Sequence, residues 1–100
     1  MQIRTSIDGC KTMLQLEGKL TVQTSPDLGN EVDGLPEEVC DIDIDLTGVT
    51  YIASAGLRVL VGIDKLAVSR GGRMRLLHPS DYVMDVFEMT ELSEVFIIER

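Results

Sequence analysis

Ser54, His78, Cys10, Cys40 and the carboxylates of Asp41, Asp43 and Asp45 are the side chains here whose types could support chemistry. Ser54 stands in Ala53-Ser54-Ala55-Gly56, directly before a long apolar run. Small residues at a helix start leave its first backbone N–H groups free, and a phosphate or a close-fitting partner can sit there. Ser54 itself suits the N-cap, with its oxygen accepting from the N–H of Gly56 or Leu57, a bond worth about 1 kcal/mol. A catalytic serine would instead need a base in hydrogen-bond reach. The single histidine, His78, lies at a strand end remote in sequence from Ser54 and reads as structural. Asp41, Asp43 and Asp45 alternate with Ile42, Ile44 and Leu46, so along a strand the carboxylates lie roughly 6–7 Å apart. That is too far for single-ion ligation without a histidine, and a solvated face is expected. Asp45 is the one to watch, because it sits where the strand approaches the Ser54 segment. Cys10 and Cys40 lack metal-ligand spacing and are expected as two reduced thiols. No metal, cofactor or small-molecule substrate is expected.

These residues belong to a chain of 100 residues, expected to fold as a single domain over 1–100. Hydrophobic residues make up 44% and aromatics only 4%, so the core must be built from Ile, Val, Leu and Met. A net charge of −8 repels nucleic-acid phosphates and anionic lipid, and no basic stripe offsets it. No run approaches the ~18 apolar residues of a membrane span, and the first residues lack a secretory apolar stretch, so a cytoplasmic location without membrane insertion is expected.

Residues 2–7 and 11–17 read as two strands joined at Asp8-Gly9, a dipeptide suited to a hairpin turn. Ser25 as N-cap and Pro26 at the first helical position start a helix carrying Leu28, Val32 and Leu35. A strand at 41–46 leads to a helix at 54–70, closed by Gly71-Gly72. At roughly 100° per residue, Gly56, Val59, Leu60, Ile63, Leu66 and Ala67 form its core arc. Leu57, Val61 and Val68 form a second apolar stripe, expected to face a partner. A strand at 73–78, a helix through about Met89 and a last strand at 94–99 follow. The order from residue 41 onward implies parallel strands with helices on one face. With the hairpin, this gives an α/β fold: a mixed sheet, antiparallel at its N-terminal end and parallel thereafter, with helices packed mainly on one face.

Asp45-Leu46-Thr47-Gly48-Val49 followed by Ser54-Ala55-Gly56-Leu57 resembles the signature of STAS domains, the bacterial anti-sigma-factor antagonists and their relatives. Leu16-x-Gly18-x-Leu20, Thr24-Ser25-Pro26-x-Leu28 and Val83-x-x-Val86-Phe87-x-Met89 extend the resemblance over most of the chain. In that family the second serine of a Ser-Ser pair at this helix tip is the phosphoacceptor. Ala55 occupies that position here, Ala53 the place of a usual Asp, and Thr21 that of an Asp before the first helix. Ser54 is a poor substitute acceptor, since it is turned by roughly 100° about the helix axis and phosphoryl transfer depends on in-line positioning.

The resemblance implies a non-catalytic regulator that binds an anti-sigma factor, a kinase-like ATPase, through Ser54, Ala55, Gly56, Leu57 and Arg58 at the helix tip. Val61 on the stripe and Thr21 and Thr24 in the preceding loop complete the expected surface. It also implies that phosphorylation at the usual position does not control this chain. The alternative is a stand-alone subunit docking on the ABC-type ATPase of a membrane transporter, and a nucleotide-binding or phosphotransfer protein is a third possibility.

Overall fold

The computed structural model describes residues 1–100. Its elements are β1 (Gln2–Asp8), β2 (Lys11–Leu20), α1 (Ser25–Asp33), β3 (Asp41–Ile52), α2 (Ser54–Ser69), β4 (Arg73–Leu77), α3 (Asp81–Met89), a short 3-10 turn (Leu92–Glu94) and β5 (Ile97–Glu99). The strands lie in the order β1-β2-β3-β4-β5. β1 pairs antiparallel with β2, and every later neighbour is parallel. The expected mixed sheet is therefore the one observed. Each parallel pair is joined through one helix, and right-handed crossovers that step in one direction place all three helices on the same face.

Period-two alternation decides what lies beneath those helices. Leu14, Leu16 and Leu20 of β2, Ile42, Ile44 and Leu46 of β3, and Met74 and Leu76 of β4 are buried, forming one cluster with Leu28, Leu60, Ile63, Val83 and Phe87. The other face remains open and polar. There Arg75 reaches Asp43 through two bonds, Nε to Oδ1 at 2.8 Å and a terminal nitrogen to Oδ2 at 2.6 Å, and Glu99 at 3.3 Å. The Asp43 hydrogen bonds and charge, reinforced by Glu99, raise the arginine's pKa above its ordinary value. Asp43 is thus paired with a cation, and the three aspartates do not act as a ligand set.

Several boundaries differ from the sequence expectation. β2 runs on through Gly18, at φ of 117°, to Leu20 rather than ending at residue 17. β3 continues past residue 46 to Ile52, accommodated by two register shifts against β2. β5 begins at Ile97 rather than 94, because Glu91 adopts a left-handed φ of 63° and turns the chain before Phe96. Phe96 is then committed to the core, edge-on to Phe87 with ring centroids 5.6 Å apart. In α1, Thr24 rather than Ser25 occupies the N-cap position. Ser25 is buried inside the first turn, its hydroxyl donating to the Thr21 carbonyl.

Candidate partner-binding site

β2 and β3 end side by side, Leu20 opposite Ile52, and the N–H of Ala53 donates to the Leu20 carbonyl at 2.9 Å. This brings the 21–24 loop against the start of α2, so these two parts of the expected surface share one edge of the domain. Hydroxyls rigidify the loop. Thr21 N–H donates to Thr24 Oγ1 at 2.8 Å, and Thr24 Oγ1 donates onward to the Lys19 carbonyl at 2.7 Å. Thr21 Oγ1 accepts from the N–H groups of Gln23 (3.2 Å) and Thr24 (3.3 Å). Thr21 and Thr24 are half-buried and shape the edge, while Val22 between them is 68% exposed.

The start of α2 differs from expectation in its cap. Ala53, with extended ψ of 170°, is the N-cap, and no side chain caps the helix. Ser54 is the first helical residue, exposed and past the position from which a cap could act. The first bond up the helix runs from the Leu57 N–H to the Ala53 carbonyl at 3.1 Å. The N–H groups of Ser54, Ala55 and Gly56 precede that bond and lie at the positive end of the helix dipole.

Leu57 corrects the sequence expectation most strongly. It is buried, 8% exposed, and belongs to the core cluster. The cause is Gly56, where a Cβ would fall 2.8 Å from Leu20 Cγ and Cδ2 and 3.1 Å from Ile52 Cγ1. Its absence lets the first turn sink onto the sheet, and Leu57 goes down with it. Val61 is half-buried and packs against the core, while Val68 is 61% exposed a full two turns further along. The expected continuous apolar stripe is therefore absent. Ser54 and Arg58 are exposed, Ala55 is half-buried and Gly56 is buried.

Two aromatic residues join this end of the sheet that sequence reasoning missed. Tyr51 of β3 and Tyr82 of α3 stack with centroids 6.1 Å apart and rings 19° from parallel, and they are 41% and 46% exposed. Exposed tyrosine pairs supply rigid, amphipathic contact area. The available signal was Tyr51 directly before Ile52-Ala53-Ser54, but nothing in the sequence couples it to Tyr82.

Asp45 proves to be architectural. Its Oδ1 accepts from Thr47 N–H at 2.9 Å and Thr47 Oγ1 at 2.6 Å, inside the first register shift. Gly48 completes the irregularity, since a Cβ there would meet the Leu16 carbonyl at 2.8 Å. Asp-Leu-Thr-Gly is thus a device for bending β3 towards the α2 start. Burial raises the Asp45 pKa, but the two Thr47 hydrogen bonds and the nearby His78 charge outweigh it, and the net shift is downward. A carboxyl depressed in the folded state contributes stability above its unfolded value, about 3.9, and loses it as pH falls through the folded value. The stability advantage of the wild type over Asp45→Asn is expected to narrow steadily below about pH 4, as followed by urea unfolding across pH.

This geometry offers free amides, a small-residue tip, one exposed arginine and a tyrosine pair, which together suit protein contact. The family model described as "Mlab, STAS domain" matches residues 3–99. The anti-sigma-B factor antagonist of Bacillus subtilis is 31% identical over 85 residues, covering 85% of this chain and 78% of that protein. Its counterpart from Listeria monocytogenes is 34% identical, covering 83% and 74% respectively. A crystal structure of a Thermotoga maritima protein superposes with a TM-score of 0.89 at 24% identity, over 98% of this chain and 86% of that one. With a family match spanning nearly the whole chain and these relatives behind it, the chain belongs to the STAS-domain family, a family of regulatory protein-interaction domains.

Proposed function

We propose that this protein is an anti-sigma-factor antagonist that binds a kinase-like anti-sigma factor through the edge formed by the 21–24 loop and the start of α2. The observation that carries the reading is the 31% identity to the Bacillus antagonist over most of both chains. Ser54, Ala55 and Gly56 form the close-approach centre of the contact, where small side chains admit a partner to the free amides. Arg58, Val22 and the Tyr51–Tyr82 pair surround it, and Thr21 and Thr24 hold the adjoining loop in shape. Leu57 and Val61 support the surface from beneath rather than contributing contact area. The protein performs no reaction of its own, and lacking an oxygen at Ala55 it is not switched at the position that the family resemblance assigns to the phosphoacceptor.

Arg58→Glu and Tyr51→Ala are expected to weaken partner binding by about tenfold or more each, the effect of losing a residue that anchors an interface. Arg58 is exposed, so its variant should keep the wild-type unfolding midpoint, whereas Tyr51→Ala also gives up the stack on Tyr82 and should lose about 0.5–1.5 kcal/mol of stability while remaining folded. Affinity capture followed by calorimetry with the captured partner provides the measurement, and unchanged affinity in both variants would reject this surface. Ala55 also suits a second reading, a STAS subunit docked on a transporter ATPase. Capture of an ABC-type ATPase in place of a histidine-kinase-like one would select it.

A further inference from the structure

At the other end of β3 from Ser54, the fold assembles a cluster that its sequence spacing conceals. Parallel pairing of β2 with β3 starts at Lys11 opposite Asp41, which sets Cys10 beside Cys40. The Cys10 carbonyl accepts from the N–H groups of both Cys40 (2.8 Å) and Asp41 (3.1 Å). The two sulfurs and a carboxylate oxygen of Asp41 all lie within 4.8 Å of one another. The surrounding backbone is fixed: Gly9 turns the hairpin with φ of 63°, and Gly72 packs so closely that a Cβ would fall 2.0 Å from the Cys40 carbonyl. Asp43 and Asp45 are engaged by Arg75 and Thr47, whereas the Asp41 carboxylate makes no hydrogen bond or ion pair. Cys10 is exposed and Cys40 half-buried, so an ion can reach the cluster from solvent.

We propose that Cys10, Cys40 and Asp41 form a binding site for a thiophilic divalent cation of the Zn²⁺ or Cd²⁺ type, with a fourth position left to water. Tetrahedral Zn²⁺ takes sulfur at about 2.3 Å and carboxylate oxygen at about 2.0–2.2 Å. Donors already this close converge on such an ion by rotation of their own side chains. Two thiolates select soft and borderline ions over Mg²⁺ and Ca²⁺. Each thiol gives up its proton as the metal–sulfur bond forms, so one ion releases two protons. Two thiolates and a carboxylate leave a surplus of negative charge around a divalent ion. Lys11 and Arg73, both in register with Asp41, offset it.

The test is titration of the reduced full-length chain with Zn²⁺ alone and with Cd²⁺ alone. The expected result is one ion per chain, two protons released, an ultraviolet cadmium–thiolate charge-transfer band, and no competition from excess Mg²⁺. Cys10→Ser and Cys40→Ser should each weaken binding by more than about tenfold, a loss seen even for residues that merely support a ligand. Asp41→Asn should lower affinity while the charge-transfer band persists. Circular dichroism of each variant establishes that it is folded, and partner affinity at the far end of β3 should be unaltered. Absence of a saturable band, affinity indifferent to both cysteine substitutions, or dimerisation on adding metal would each overturn the proposal.

Discussion

Leu57→Asp is expected to unfold the domain rather than merely to weaken its contact with a partner. Truncating a buried leucine costs about 2–5 kcal/mol, and aspartate adds the cost of placing a carboxylate where no hydrogen-bond donor is arranged for it. Domains of this size retain about 5–15 kcal/mol in total, so the variant should lose most of its urea resistance. Leu57→Ala should fall between it and the wild type. The neighbouring Arg58→Glu, one position along but exposed, should leave the unfolding midpoint unchanged while reducing partner affinity. A folded, wild-type-stable Leu57→Asp would show that α2 does not sink at Gly56, and would return Leu57 to the surface. Adjacent residues with opposite outcomes are the signature of a helix whose first turn is half embedded.

The contrast between Leu57 and Arg58 shows where the sequence was legible. Strict alternation at Asp41–Leu46 gave both the strand and the identity of its two faces, because a strand's side chains have only two directions to take. The hairpin at Asp8-Gly9 and the core arc from Gly56 to Ala67 were equally readable, each being a local consequence of backbone geometry. Leu57 was not, since its burial depends on how closely Gly56 approaches Leu20, a contact between segments distant in the chain. The same applies to Tyr51 on Tyr82 and to Cys10 beside Cys40. Ser54 failed as a cap for a smaller reason: the helix begins one residue earlier than the serine suggests, with Ala53 taking the cap position unaided. The edge joining the 21–24 loop to α2 was foreseen from the family resemblance, and the Ala53–Leu20 hydrogen bond supplies its physical basis.

Ala55→Ser is expected to make the proposed partner binding switchable by phosphorylation. Ala55 is the second residue of α2, half-buried between exposed Ser54 and buried Gly56. A serine there is sterically modest, and its hydroxyl would stand at the place that family resemblance assigns to the phosphoacceptor. Incubated with the captured kinase-like partner and ATP, Ala55→Ser should gain one phosphate by mass spectrometry, while the wild type gains none at Ser54. The phosphoryl group would add about −1.5 to −2 charges at the positive end of the helix dipole, which the isolated domain tolerates well. Inside a desolvated contact the same charge must shed its hydration and displace the close-fitting partner surface. The phosphorylated variant should therefore dissociate, with affinity reduced by about a hundredfold, or roughly 2.7 kcal/mol. Unmodified Ala55→Ser should bind as the wild type does, which separates the effect of the phosphate from that of the hydroxyl. Phosphate on Ser54 of the wild type would overturn the argument, because a kinase that ignores a rotation of roughly 100° about the helix axis would not need the oxygen that Ala55 lacks.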